Sequence, residues 1–292
     1  ALIDMYAKCG LLNIARHVFD ELPIQDVVSW ASLILGYAEH GHEEEALKCY
    51  EMMQLDGVLP DAVIFMSILK ACSIIGATAK GIQIHAQIER QGLLEMNLAV
   101  GNTLIDMYAK SGSPTRAQHV FDRLQLRDVV SWNALLTGYA QSGESDHVFH
   151  FFEKMLGQGI EPDLVSFLVV MCACTRNGLF HKSKTYFETM TKDYGMIPTI
   201  QHQSCIVDLL GRMGEVDKAV EMIKKMPLRP NLVVWHTVLG ASRYWGSASI
   251  GNQAFKKAIH LDKNDAVAYI MMSHILASMD FEDNRMLRTT KL

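Results

Sequence analysis

The heptapeptide Leu-Ile-Asp-Met-Tyr-Ala-Lys stands at residues 2–8 and again at 104–110, and Asp-Val-Val-Ser-Trp stands at 26–30 and again at 128–132. Such repetition constrains the fold before any other feature does, because it marks a supersecondary unit stacked on copies of itself. A glycine punctuates every unit, at Gly10, Gly41, Gly76, Gly112, Gly143, Gly178, Gly214 and Gly246. Successive separations are 31, 35, 36, 31, 35, 36 and 32 residues, so a triplet of unit lengths runs through the chain twice.

Each glycine closes a stretch whose apolar residues have helical spacing, as in Leu2, Met5 and Tyr6 or in Leu33, Tyr37 and Ala38. A glycine there predicts a left-handed cap on a first helix. Five residues later comes a mostly small residue (Ala15, Ala46, Gly81, Ala117, Val148, Ser183, Ala219, Gly251), and four further on a mostly large one (Phe19, Tyr50, His85, Phe121, Phe152, Phe187, Ile223, Phe255). That spacing puts both on one face of a second helix, the small residue allowing close approach and the large one filling the gap between hairpins. Breakers such as Leu22-Pro23, Gly57-Val58-Leu59-Pro60, Gly159-Ile160-Glu161-Pro162 and Met226-Pro227 then end the unit, since a Pro amide cannot continue a helix. One hairpin of this size cannot bury its apolar face alone. Stacked neighbours complete the core, and the expected fold class is all-α, a right-handed α-solenoid with a long concave surface.

Composition narrows what that surface can hold. The chain has 292 residues, 49% apolar and 20% charged, with a formal charge of −5. Binding nucleic acid mainly by neutralising phosphates needs a Lys/Arg excess, so any such contact here must rest on base edges and stacking. No run of eighteen apolar residues predicts a membrane span. The six cysteines (Cys9, Cys49, Cys72, Cys172, Cys174, Cys205) sit in apolar helical patterns without disulfide or zinc spacing and read as reduced core residues.

Motifs for catalysis are absent or misplaced. No GxxxxGK[ST], GxGxxG or GxSxG occurs. His42 and Glu44 form an HxE, but a zinc deaminase site also needs a later PCxxC, and no CxxC follows. Cys172 and Cys174, two apart on a helix, point in directions about 200° apart and cannot chelate one ion. His147 and His150 share a helix face without further ligands, which reads as solvated surface. The expectation is a protein with no active site, metal or cofactor of its own.

The segments Leu104–Gly112 (LIDMYAKSG), Val129–Gly143 (VVSWNALLTGYAQSG), Ala15–Pro23 (ARHVFDELP) and Asp208–Pro230 (DLLGRMGEVDKAVEMIKKMPLRP), with units of 31, 35 and 36 residues, resemble plant pentatricopeptide repeat proteins. The alternation of lengths is similar to their PLS subclass. The resemblance parses the chain into a truncated repeat 1–26, repeats 27–61, 62–97, 98–128, 129–163, 164–199 and 200–231, and an E-like region 232–292. It implies sequence-specific binding of single-stranded RNA, one base per repeat, a rule known for such repeats in general. The fifth and last residues of each repeat would read the base: Ala31 with Asp61, Met66 with Asn97, Asn102 with Asp128, Asn133 with Asp163, Leu168 with Thr199, and Ser204 with Asn231. Asn with Asp resembles the family's uracil-preferring pair, and Ser with Asn an adenine-preferring one. Ala31, Met66 and Leu168 offer no polar atom and would discriminate weakly.

Apolar second residues would pack against bases: Val28, Val63, Ala99, Val130 and Val165, with Gln201 departing from the pattern. A plainer reading makes the Asp and Asn residues helix N-caps and the valines core filler, since Asp26, Asp61, Asp128 and Asp163 each precede a helix and Asp is a favoured cap. The E-like region would recruit editing partners, a DYW-type deaminase among them, although Asp280 stands where a repeat glycine is expected. Trp235 reads as buried repeat packing, and Trp245 as a candidate partner surface. The family places such proteins in mitochondria or chloroplasts. No targeting peptide is visible at Ala1, and because the chain opens inside the repeat pattern we expect further sequence upstream. Transcript stabilisation or processing, or a protein-binding scaffold of tetratricopeptide type, are the alternative functions.

Overall fold

The computed structural model describes residues 1–226 and 229–289, with side chains described as far as Ser278. Pro227 and the side chain of Asp280, both singled out above, lie outside the described residues. Among the described residues every regular element is an α-helix, and helices pair into hairpins. The hairpins fall into two compact units, 1–161 and 162 onward.

In the first unit the hairpins are α1 (Leu2–Lys8) with α2 (Leu12–Asp20), α3 (Val27–Glu39) with α4 (Glu43–Leu55), α5 (Ala62–Ile75) with α6 (Thr78–Arg90), α8 (Leu98–Lys110) with α9 (Pro114–Arg123), and α10 (Val129–Gln141) with α11 (Ser145–Gly157). A single extra turn, α7 (Leu93–Met96), follows α6. First helices pack side by side: α1 on α3, α3 on α5, α5 on α8, α8 on α10. The second unit pairs α12 (Leu164–Arg176) with α13 (Phe180–Lys192), α14 (Ile200–Arg212) with α15 (Val216–Lys224), and α16 (Leu232–Trp245) with α17 (Ala248–Leu261), and adds α18 (Ala266–Thr289). There α12, α14, α16 and α18 form the corresponding row.

The glycines turn the chain where the sequence predicts. Gly76 ends α5 at φ +70° and Gly246 ends α16 at φ +68°, in a left-handed region that costs other residues a clash of Cβ with backbone. The next amides reach back, Ala77 N to Cys72 O and Ser247 N to Ser242 O at 2.9 Å each, satisfying carbonyls that the helix end would otherwise leave open. Small residues of the second helices are buried completely, as at Ala15, Ala46, Ala117 and Ala219. At Gly81 even a methyl group would stand 2.8 Å from Met107 Cε. Phe19 meets Trp30 edge-on at 4.4 Å between ring centres, and Phe121 meets Trp132 in the same way at 4.7 Å. The second helix of one repeat thus locks onto the first helix of the next through an aromatic pair of the kind that adds about 1 kcal/mol beyond its buried area.

Two expectations need correction. Cys9 is exposed at the end of α1, where the helix stops before its thiol can turn inward, so it is not a core residue. Cys172 is only half-buried, and its Sγ lies 3.7 Å from Cys205 Sγ across the packed α12 and α14. That proximity arises between repeats, not from any spacing within one.

Candidate nucleic-acid interface

The residues that end the repeats all stand at the starts of first helices. The Asp26 carboxylate accepts from Ser29 N at 2.8 Å, Asp61 from Ile64 N at 2.9 Å, Asp128 from Ser131 N and Asp163 from Ser166 N at 2.9 Å each, and Asn231 from Val234 N at 3.1 Å. Asn97 accepts from Ala99 N and Val100 N. Thr199 instead engages the His202 ring, its Oγ1 2.7 Å from Nδ1, while His202 Nε2 lies 2.9 Å from Leu164 O. Apart from Thr199, these side chains satisfy amides that a helix start leaves unpaired, so the capping role is real.

At Asp128 capping does not exhaust the side chain. Asn102 on α8 donates from Nδ2 to Asp128 Oδ1 at 3.1 Å. The Ser131 hydroxyl, 2.6 Å from Asn102 Oδ1 and 2.9 Å from Asp128 Oδ1, shares its single proton between them. Burial alone would push the Asp128 carboxyl up. The amide and hydroxyl of Ser131 and the amide of Asn102 outweigh it and hold the carboxyl below its ordinary value. An ionised carboxylate only accepts, so the Asn102 amide nitrogen must face it and the orientation of the side chain is fixed. Asn102, itself half-buried, retains one N–H and one oxygen lone pair.

Asn133, at the corresponding place on α10, keeps only 8% of its surface. It belongs to the first unit, and Asp163, which caps α12, to the second. Ala31, Met66 and Leu168 are half-buried. Ser204 donates its hydroxyl to Ile200 O at 2.7 Å, which leaves its oxygen as an acceptor only.

The second residues are not core filler. Val28 is 64% exposed, Val130 53%, Val165 49% and Val63 44%, and Ala99 is exposed too. Each lies in the first turn of a first helix, within a few residues of the capping side chain. Isolated exposed valines are ordinary, whereas one at the same position of successive repeats is a periodic apolar feature. Gln201 is exposed as well.

Other groups considered in the sequence are accounted for structurally. His147 stacks on Tyr139, with ring centres 4.7 Å apart, and lies 3.1 Å from Glu144. Trp235 is buried, whereas Trp245 is about half-exposed and donates from Nε1 to Gly211 O at 2.8 Å. Among the described residues no three His, Cys, Asp or Glu side chains converge as a metal site would require, and no helix is long and apolar enough to cross a membrane.

Family models agree with this architecture. The PPR repeat family model matches residues 25–74 and 127–176, and the PPR repeat model matches 1–25, 102–129, 165–194 and 204–229. The chain belongs to the pentatricopeptide repeat family. Among its pentatricopeptide repeat relatives in Arabidopsis thaliana is the chloroplastic protein CRR2, 38% identical over 284 residues, covering 97% of this chain and 43% of CRR2. A mitochondrial member of the same plant is 36% identical over 278 residues, covering 95% of this chain and 44% of its own length. The chain therefore spans less than half the length of these relatives. Among solved structures, pentatricopeptide repeat protein PPR10 in complex with an 18-nt psaJ RNA element aligns over 94% of this chain and 45% of its own, with a TM-score of 0.72 and 17% identity. A tetratricopeptide repeat protein from Parabacteroides merdae aligns over 87% of this chain with a TM-score of 0.55 and 14% identity. The fold itself is thus shared beyond the pentatricopeptide repeats.

Proposed function

We propose that the chain binds single-stranded RNA through the first helices of its repeats, about one base per repeat, and that Asn102 with Asp128 is its best-formed reading pair. The observation that carries this is the fixed Asn102 amide, which offers one donor and one acceptor between exposed Ala99 and Val130. Uracil presents a donor at N3–H and an acceptor at O4, which an amide with one N–H and one lone pair left can meet, and the two apolar side chains offer packing for the base faces. Asn133 and Asp163 stand at the fifth and last positions of the next repeat in sequence, so the preferred target contains two adjacent uridines.

The occurrence of PPR10 in an RNA complex supports an RNA partner. The 31, 35 and 36 spacing and the E-like residues 232–292 support a narrower role as a specificity factor for organellar C-to-U editing, with the deaminase supplied in trans. Relatives named chloroplastic and mitochondrial support a place in one of those organelles. A protein-binding scaffold is the second reading, favoured by the likeness to a tetratricopeptide protein. Nothing in a scaffold requires the periodic pairing of exposed apolar and capped polar side chains.

Equilibrium binding tests the reading. An unstructured RNA containing two neighbouring uridines should bind roughly tenfold or more tightly than the same RNA with two guanosines, given about 1–3 kcal/mol per well-matched base edge. Equal affinity for both would remove the mechanism.

A further inference from the structure

Beyond residue 231 the repeat register continues. Leu232 begins α16 as Val129 begins α10, which makes Val233 a second residue, His236 a fifth, Asp265 a last residue before α18, and Val267 the second residue counted from the start of α18. All four positions are filled in the manner of the Asn102 site. Val233 is 61% exposed and Val267 46%. Asp265 Oδ1 accepts from Val267 N at 3.1 Å and Ala268 N at 3.2 Å, capping α18, while Oδ2 lies 2.5 Å from His236 Nε2. One carboxylate again starts a helix and aims the fifth residue of the preceding hairpin.

We propose that residues 232–267 hold one further nucleobase of the same RNA strand, with His236 reading it, Asp265 as the positioning residue, and Val233 and Val267 packing on its faces. This rests on the reading of the preceding repeats as an RNA interface. The carboxylate accepts only, so a hydrogen lies on Nε2, and the tautomer with Nδ1 bare offers an acceptor there. An acceptor with no donor beside it can take the exocyclic amino group of adenine or cytosine, whereas it leaves O4 of uracil without a donor. The surroundings suit a nucleotide. His236 opens onto a cleft of about 650 Å³ that also presents Thr237, Trp245, Tyr244, which is 81% exposed, and Arg212, whose Nε pairs with Asp208 at 3.0 Å. Exposed aromatic side chains stack on unpaired bases whatever their identity, and a guanidinium suits the backbone.

Selection from a randomised single-stranded RNA pool, followed by affinity measurement on the winning sequence, tests this. The parent chain should enrich adenine or cytosine at one position outside the adjacent uridines. His236→Ala and Val233→Ser should each erase that preference and weaken binding about fivefold, the worth of a contact near 1 kcal/mol, while the uridines remain. Asn102→Ala should do the reverse. If His236→Ala does not fold, Val233→Ser carries the test, because that side chain is largely in solvent. Unchanged selection and affinity in both variants, with the Asn102→Ala effect intact, would overturn this site and leave the RNA reading standing. An unaltered motif in Asn102→Ala as well would overturn both.

Discussion

Gly138 on α10 lies against Ala109 on α8 so closely that a β-carbon at 138 would stand 2.8 Å from Ala109 Cβ and 3.3 Å from its Cα. The same relationship recurs between Gly36 and Ala7, where the added carbon would stand 2.5 Å from Ala7 Cβ. Ala7 and Ala109 occupy the same place in the two copies of Leu-Ile-Asp-Met-Tyr-Ala-Lys, so the repeated motif encodes the distance between first helices. That distance sets the pitch at which fifth residues are presented.

Gly138→Ala should destabilise the protein even though alanine is the better helix former. Propensity favours alanine by about 1 kcal/mol, and overpacking a helix contact costs about 1–3 kcal/mol. The clash involves a β-carbon and backbone that cannot rotate away, so the cost wins. Chemical denaturation should show a net loss, and Ala109→Gly introduced together with Gly138→Ala should recover much of it. A rise in stability for the single variant would contradict the close approach.

Val130→Ser should leave stability within about 0.5 kcal/mol of the parent, as expected for a surface position, and still weaken RNA binding several-fold. The split between the two measurements is the informative result. A valine buried as core filler would show the opposite pattern, with a large loss of stability.

Acid should erase the contribution of Asp128. Its carboxyl is held below the ordinary value of 3.8, so its stabilisation is fully present above that value and is lost as pH falls through the lower native one. Asp128→Ala, which also removes the N-cap at a cost of about 1 kcal/mol, should therefore melt below the parent at neutral pH. The gap should shrink below about pH 4. A gap independent of pH would mean that the carboxylate charge plays no part.

Replacing Asn133 by Thr should move the preference of its repeat from uridine towards guanosine, as measured with RNAs that differ at the single facing position. Asn133 is nearly enclosed, so the effect should be smaller than that of the same change at Asn102. An unchanged preference would make Asn133 a helix residue only.

Much of the fold is legible in the sequence. Eight glycines at fixed separations are read directly, and all eight adopt φ between +66° and +82°. The small and large residues of the second helices follow from spacing alone. What spacing cannot supply is contact between repeats. Val130 looks like a core residue because valine is apolar, and only the packing of α8 and α10 leaves it in solvent. The Cys172–Cys205 proximity depends on the rotation of two helices about their own axes, and α7 arises because extra residues after α6 coil into one more turn. The His236–Asp265 contact is within reach of the sequence, because the register of Val233, His236 and Asp265 matches that of Val130, Asn133 and Asp163. It is easily missed because no Asn marks the fifth position.

The N-caps carry a consequence for how specificity can change over time. Each residue from Asp26 to Asn231 that ends a repeat must also nucleate the next helix, and only a short side chain with an acceptor oxygen does that well. A lysine or leucine there would cost the helix start about 1 kcal/mol whatever it gained in recognition. The vocabulary at this position is thereby weighted towards Asp, Asn, Ser and Thr, and mutation rewrites the target most cheaply within that small alphabet. Fifth residues, lodged mid-helix and free of this duty, are where wider variation can accumulate.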